Sequence, residues 1–171
     1  MSAILTDIDN RGVATVTLNR AEKHNAFDDA VIAELNSIFI GLDTNEQVRV
    51  VILAANGKSF SAGADLNWMK RMAAYNEAEN FADAKGLATM LATLNELNKP
   101  TIARVQGAAY GGGVGLVSCC DIAIASDRAS FCLSEVKLGM VPATISPYVI
   151  EAIGPRAARR YFTTAERFSA E

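Results

Sequence analysis

The sequence predicts an α/β fold with largely parallel sheets, and three observations carry that expectation. Val48 to Ala54 is an unbroken apolar run rich in β-branched residues, the pattern of a strand covered on both faces. Strand-type runs then alternate with runs of helical period along the chain, as a parallel sheet with crossover helices requires. Two glycine-marked backbone loops, Ser61–Leu66 and Gly107–Gly113, each follow a β-rich run and precede a helical one.

The elements follow in order. Ala3 to Asp9 and Val13 to Leu18 alternate apolar with polar residues around Asn10-Arg11-Gly12, which predicts a β-hairpin. Asn25 or Asp28 is placed to cap a helix in which Val31, Ile32, Leu35, Ile38, Phe39 and Leu42 recur at helical spacing. After the buried strand, Asn56-Gly57-Lys58 turns the chain, and Trp68 to about Leu97 is helical with a break near Tyr75-Asn76. Pro100 introduces a strand at Thr101 to Val105; a short helix follows the triple glycine up to Cys120. Strands at Asp121 to Ala125 and Ser130 to Leu133 come next, then helices after Ser146 and Pro155. Ser169 has the character of a helix cap at the end of the chain. With no linker or low-complexity stretch, residues 1–171 are expected to form a single domain.

Composition narrows the function classes. The chain is 50% hydrophobic and 20% charged, enough apolar material for a real core. A formal charge of −3 gives no basic footprint for nucleic acid. No apolar run is long enough to span a bilayer, and the N-terminus lacks a signal-peptide pattern, so a protein away from membranes and in the cytoplasm is expected. Cys119, Cys120 and Cys132 have no metal-type spacing and are expected to be reduced packing residues. His24 is the only histidine, which leaves no His-rich metal site. Gly57-Lys58-Ser59 lacks the leading glycine of a phosphate loop, and Gly111 to Gly115 lacks the third small residue of a dinucleotide fingerprint.

What remains is a pair of bare backbone segments and one carboxylate. Glycine lets the main chain approach a ligand without a Cβ in the way, and two N–H donors aimed at one carbonyl oxygen form an oxyanion hole. Leu133-Ser134-Glu135-Val136 places a single acid in an otherwise apolar stretch, where burial tunes it for proton transfer. Together these features point to enolate chemistry on an activated carbonyl.

Several segments carry a resemblance in order: Asn19-Arg20 with Asn25-Ala26, Ser61-Ala62-Gly63-Ala64-Asp65-Leu66, Gly107 with Gly111-Gly112-Gly113, Cys120-Asp121-Ile122, and Ser134 to Pro142. The chain resembles the enoyl-CoA hydratase/isomerase (crotonase) superfamily over essentially its whole length. That resemblance implies a spiral of repeated ββα units and an acyl-CoA substrate whose coenzyme A belongs to the thioester, with no permanently bound cofactor. It also implies a homotrimer or dimer of trimers, and C-terminal helices for trimerisation that follow the region corresponding to residues 1–171. Carried residue by residue, it puts the oxyanion-hole N–H groups on Ala64 and Gly112 and makes Glu135 the acid that exchanges a proton with the α-carbon. Ala62, Ala64, Asp65, Leu66 and Asn67, with Gly112, fall where relatives hold the coenzyme A thioester.

Hydratases with paired glutamates carry the second one where this chain has Gly115. Either Glu135 alone is acid and base, or another group, on the remaining chain or the substrate, orients the water. Single-glutamate members include double-bond isomerases, which makes an isomerase the alternative; a non-catalytic acyl-CoA-binding module is disfavoured by Glu135. The segment Val141 to Val149, with Gly113 to Leu116 and Cys119-Cys120-Asp121, is similar to the bacterial methylglutaconyl-CoA hydratase branch and its carboxygeranoyl-CoA relatives. A branched, carboxylated enoyl-CoA is the expected substrate.

Overall fold

The computed structural model describes Ser2 to Ala170. The chain opens with a hairpin of β1 (Ile4–Ile8) and β2 (Val13–Leu18), paired antiparallel with Ile4 opposite Leu18. Its turn is held by the Asp9 carboxylate, which accepts the Arg11 and Val13 N–H groups at 2.9 and 3.0 Å. Ala14, Val16 and Leu18 of β2 point inward, the period-two pattern read in the sequence. Helix α1 (Asp29–Thr44) follows, and of its two candidate caps Asp28 is the one used, accepting the Val31 N–H at 3.1 Å.

Three ββα turns then repeat. The first is β3 (Val50–Ala55), β4 (Ser59–Ser61) and the helices α2 (Leu66–Met72) and α3 (Glu77–Asn95). The second is β5 (Thr101–Val105), β6 (Ala108–Tyr110) and α4 (Gly112–Ser118). The third is β7 (Ile122–Ala125), β8 (Ser130–Cys132), a 3-10 turn at Ser134–Leu138, and α5 (Ser146–Thr164). The helical break expected near Tyr75-Asn76 lies between α2 and α3, where Asn76 and Glu79 form a reciprocal capping box. Helix α5 is interrupted at Gly154 (φ 79°) just before Pro155, so it consists of the two expected segments.

Each turn adds one strand to each of two sheets. The larger sheet runs β1-β2-β3-β5-β7, parallel except for β1. The smaller runs β4-β6-β8-β9, where β9 (Phe168–Ser169) is antiparallel to β8 and the rest are parallel. Phe39, Leu35, Phe60, Met90, Leu91 and Leu116 are fully buried in the core joining the sheets and helices. The resulting architecture is the ββα spiral of the α/β class.

Two expectations are corrected by this topology. Gly107–Gly113 is not one continuous loop, because Ala108–Tyr110 pairs on both sides, with β4 and with β8. Ser169 caps no helix; it pairs with Ser130 across the antiparallel edge. Both are hidden for the same reason. These strands are only three and two residues long and contain Ala and Ser beside one aromatic residue each, so neighbouring strands rather than local propensity make them extended.

The cysteines are all free, Cys119 and Cys132 buried and Cys120 half-buried. Burial pushes the Cys120 thiol up to about 12 and Cys119 in the same direction, which suits packing rather than nucleophilic chemistry. Among the described residues no helix is long and apolar enough to cross a membrane, and no group of His, Cys, Asp or Glu is arranged to hold a metal ion.

Candidate active site

The smaller sheet fixes where the site must be. Strands β4, β6 and β8 are neighbours and parallel, so their C-terminal ends lie side by side. The chain leaving β4 carries Ala62 to Asn67, that leaving β6 carries Gly111 to Gly113, and that leaving β8 carries Glu135. Three segments far apart in sequence are thereby delivered to one sheet edge, the usual position of ligand sites in parallel sheets.

Glycines form the seam between the first two segments. A Cβ on Gly63 (φ +83°) would stand 2.7 Å from the Tyr110 carbonyl oxygen and 3.1 Å from the Gly112 nitrogen. One on Gly113 would meet the Ser61 carbonyl oxygen at 2.6 Å. Only glycine permits this approach, and the approach is what brings the two loops' backbones together. Among the described residues the Ala64 and Gly112 N–H groups enter no hydrogen bond, whereas their neighbours are tied down. The Phe27 N–H donates to the Gly63 carbonyl at 2.9 Å, the Asp65 N–H to the Phe27 carbonyl at 2.9 Å, and the Gly111 N–H to the Cys132 carbonyl at 2.9 Å. Two free donors held on a fixed frame can receive one oxygen.

Ala64, Gly112 and Glu135 all line a single cavity of about 200 Å³. Its wall is largely apolar: Phe27, Trp68, Met69, Leu87, Val141 and Ile145 contribute. Glu135 is half-buried, and its Oε2 is buried with no hydrogen-bond partner. Burial raises its carboxyl above the ordinary glutamate range, against the smaller opposing effect of its own backbone N–H. Gly111 makes room for it, since a Cβ there would lie 3.0 Å from Glu135 Oε1.

The other residues expected to hold the thioester lie in the segment leaving β4 and are not among the residues that line the cavity. Ala62, Leu66 and Asn67 are exposed, Leu66 at 71%. Asp65 is different, buried to 6% and already fully engaged. Its Oδ1 accepts the Asn67 and Trp68 N–H groups that begin α2, and its Oδ2 faces Arg20 at 3.3 Å and Lys23 at 3.5 Å. Burial is the largest influence on its carboxyl and acts upward, but the Asn67 and Trp68 N–H groups together with Lys23 outweigh it and the net shift is downward. Asp65 therefore sets the position of Ala64 rather than offering a free carboxylate.

Sequence reasoning misses two features of the site. Arg20 joins the caps of two helices, bonding Asp28 at 2.9 Å as well as Asp65, and Asn25 (φ 53°) braces the same corner through the Asn56 and Ser59 carbonyls at 2.8 and 2.9 Å. The Asn19-Arg20 and Asn25-Ala26 pairs are thus the scaffold of the first loop. The second is Asp83 on α3, which lines the cavity with Glu135; nothing in its local sequence distinguishes it from a solvated helical acid.

The chain belongs to the enoyl-CoA hydratase/isomerase family, whose model matches residues 9–171. It is similar to an enoyl-CoA hydratase structure from Shewanella pealeana, at 54% identity and a TM-score of 0.96, covering 99% of this chain and 63% of that one. An enoyl-CoA hydratase of Alternaria alternata is 34% identical over 160 residues, covering 91% of this chain and 50% of the relative. A 4-chlorobenzoyl coenzyme A dehalogenase of Arthrobacter is 31% identical over 163 residues, covering 94% and 59%. The chain thus spans between half and two thirds of the length of these relatives.

Proposed function

We propose that the protein hydrates an α,β-unsaturated acyl-CoA, with a branched, carboxylated substrate of the methylglutaconyl-CoA kind. The observation that carries this reading is the unpartnered Glu135 carboxylate in one cavity with the unused Ala64 and Gly112 N–H groups. The thioester oxygen accepts from both donors, water adds at the β-carbon, and the enolate that forms is neutralised when Glu135 delivers a proton to the α-carbon. Each donor is worth on the order of 3 kcal/mol in the transition state. The hydratase reading is preferred to isomerisation because the Shewanella and Alternaria relatives bear the hydratase name.

The finer substrate assignment is supported by Val141, Pro142, Thr144 and Ile145, which belong to the segment similar to the methylglutaconyl-CoA branch and line the cavity. No Lys or Arg is among the described lining residues, so the distal carboxylate lies beyond this apolar wall. In this reading the exposed Ala62, Leu66 and Asn67 meet coenzyme A. Assembly as a trimer or dimer of trimers would cover the exposed Leu138, Met140 and Val141.

The test is to assay the intact protein against methylglutaconyl-CoA, crotonyl-CoA and a 3-enoyl-CoA in parallel, with Glu135→Gln beside it. Hydration of the first at the highest kcat/KM, and a loss of at least about 100-fold in kcat in the variant with acyl-CoA binding kept, is expected. Wild-type turnover by Glu135→Gln would overturn the assignment.

A further inference from the structure

Hydration moves two protons, and Glu135 accounts for one. The proton that leaves the attacking water needs an acceptor, and Gly115 supplies none. Its missing side chain would point at Ile145, colliding with Cγ2 and standing 2.9 Å from Cβ. The place for a second carboxylate on α4 is occupied by a core side chain. Thr144 lines the cavity too, but a hydroxyl is no base at neutral pH.

We propose that Asp83, reaching the cavity from α3, is the second carboxylate of this site and takes the proton of the attacking water. This rests on the hydratase reading above. Asp83 lines the same cavity as Glu135, Ala64 and Gly112, and its Oδ2 is buried without a partner. Its Oδ1 accepts the Trp68 indole N–H at 3.3 Å, which orients the carboxylate and leaves Oδ2 free. Trp68 follows the Asp65 cap closely along α2, so the orienting donor and the Ala64 N–H stand on one short stretch of chain.

The protons balance as follows. In the starting state Glu135 is protonated and Asp83 ionised. Burial raises both carboxyls in net, so hydrogen bonding sets the two apart: the Trp68 N–H donates to Asp83 and favours its ionised form, while no side chain donates to Glu135. The water oxygen bonds to the β-carbon as its proton passes to Asp83; the C=C π pair becomes the enolate, which takes the Glu135 proton at the α-carbon. The product is the 3-hydroxyacyl thioester, with Asp83 protonated and Glu135 ionised. Asp83 also borders a solvent-open groove of about 700 Å³ between α1 and α3, lined by Asp29, Tyr75, Glu79 and Lys85. Through that groove it returns its proton to solvent, and Glu135 is reprotonated for the next turnover.

The experiment separates the two proton transfers. Exchange of the α-protons of butyryl-CoA in D2O requires the two N–H donors and Glu135 but no attacking water, whereas hydration of crotonyl-CoA requires all parts. Asp83→Asn keeps an acceptor for Trp68, and it is expected to lower hydration kcat at least about 100-fold while exchange stays within about threefold of wild type. Trp68→Phe keeps an aromatic, though smaller, side chain and removes the N–H; it is expected to move the acidic limb of the kcat–pH profile for hydration upward. Hydration retained by Asp83→Asn, an equal fall in hydration and exchange, or an unmoved limb in Trp68→Phe would each overturn the role. A wild-type protein that exchanges α-protons but hydrates neither methylglutaconyl-CoA nor crotonyl-CoA would overturn the hydratase reading and this one with it.

Discussion

At the residue scale, the site depends on side chains that are absent as much as on those present. The Gly112 motif suggests a glycine that leaves room for the thioester oxygen, yet the missing Cβ points elsewhere, to within 2.5 Å of the Phe27 ring. Gly112→Ala should therefore act first on packing, costing about 1–3 kcal/mol through overpacking, and Phe27→Leu should recover part of that loss in urea denaturation. If the double variant is no more stable than Gly112→Ala, the ring is not the obstacle. Glu135 gives a second expectation. Burial raises its carboxyl in the folded state, so its neutral form is favoured there; the associated stability is present below the unfolded pKa of about 4.3 and is lost as pH rises through the raised folded value. Glu135→Gln does not titrate, so the variant should gain stability over wild type as pH rises through that window. A stability difference independent of pH would show that Glu135 is not destabilised by burial.

Elements differ in how plainly the sequence announces them. Helix α1 is legible because Val31, Ile32, Leu35, Phe39 and Leu42 recur at helical spacing and are buried, and strand β3 because it lies in an unbroken apolar, β-branched run that buries Val51, Leu53 and Ala54. Two strands of the smaller sheet are not, since Ser59–Ser61 and Ala108–Tyr110 gain their extended form from each other, whereas its neighbour Ser130–Cys132 falls within the strand expected at Ser130 to Leu133. The same sheet carries the site, so the loops are visible as motifs while the reason for their convergence is not. Asp65 shows how an element then serves chemistry. It fixes the start of α2 and, one residue earlier, the Ala64 N–H. Asp65→Ala should lose the cap, at about 0.5–2 kcal/mol, together with the Arg20 and Lys23 pairing, whereas Asp65→Asn should retain the cap and lose only the pairing. The folded carboxyl is held below its usual range, so its ionic contribution is present above the unfolded pKa and disappears as pH falls through the folded one. Denaturation of both variants near neutral pH and in acid checks the order: the Asn penalty should fade in acid while the extra Ala penalty persists.

Over the whole molecule, each ββα turn supplies one part of the site, and this explains why the acid on α3 escapes a reading of the sequence. Ala64, Gly112 and Glu135 follow the ends of adjacent strands, so their association is written into the repeat and into motifs. Asp83 reaches the cavity from the middle of a helix, and only the packing of α3 places it there. Relatives with paired glutamates carry the second one at the position of Gly115 on α4, which Ile145 covers here, while on α3 this chain has an acid, Asp83, in the cavity of Glu135. The positions should be exchangeable. Gly115→Glu alone is expected to disrupt the core, because the new Cβ would run into both Cγ2 and Cβ of Ile145, and Ile145→Ala would leave that Cβ in place. Gly115→Glu with Ile145→Gly clears both atoms. Introduced into Asp83→Asn, the pair should restore crotonyl-CoA hydration by at least about tenfold over Asp83→Asn alone, a small part of what a positioned general base supplies. The carboxylated substrate should gain less, since a new anion beside the acyl wall is desolvated and repels it. A folded triple variant, shown by circular dichroism, that hydrates crotonyl-CoA no faster than Asp83→Asn would mean that the two positions do not face the same water.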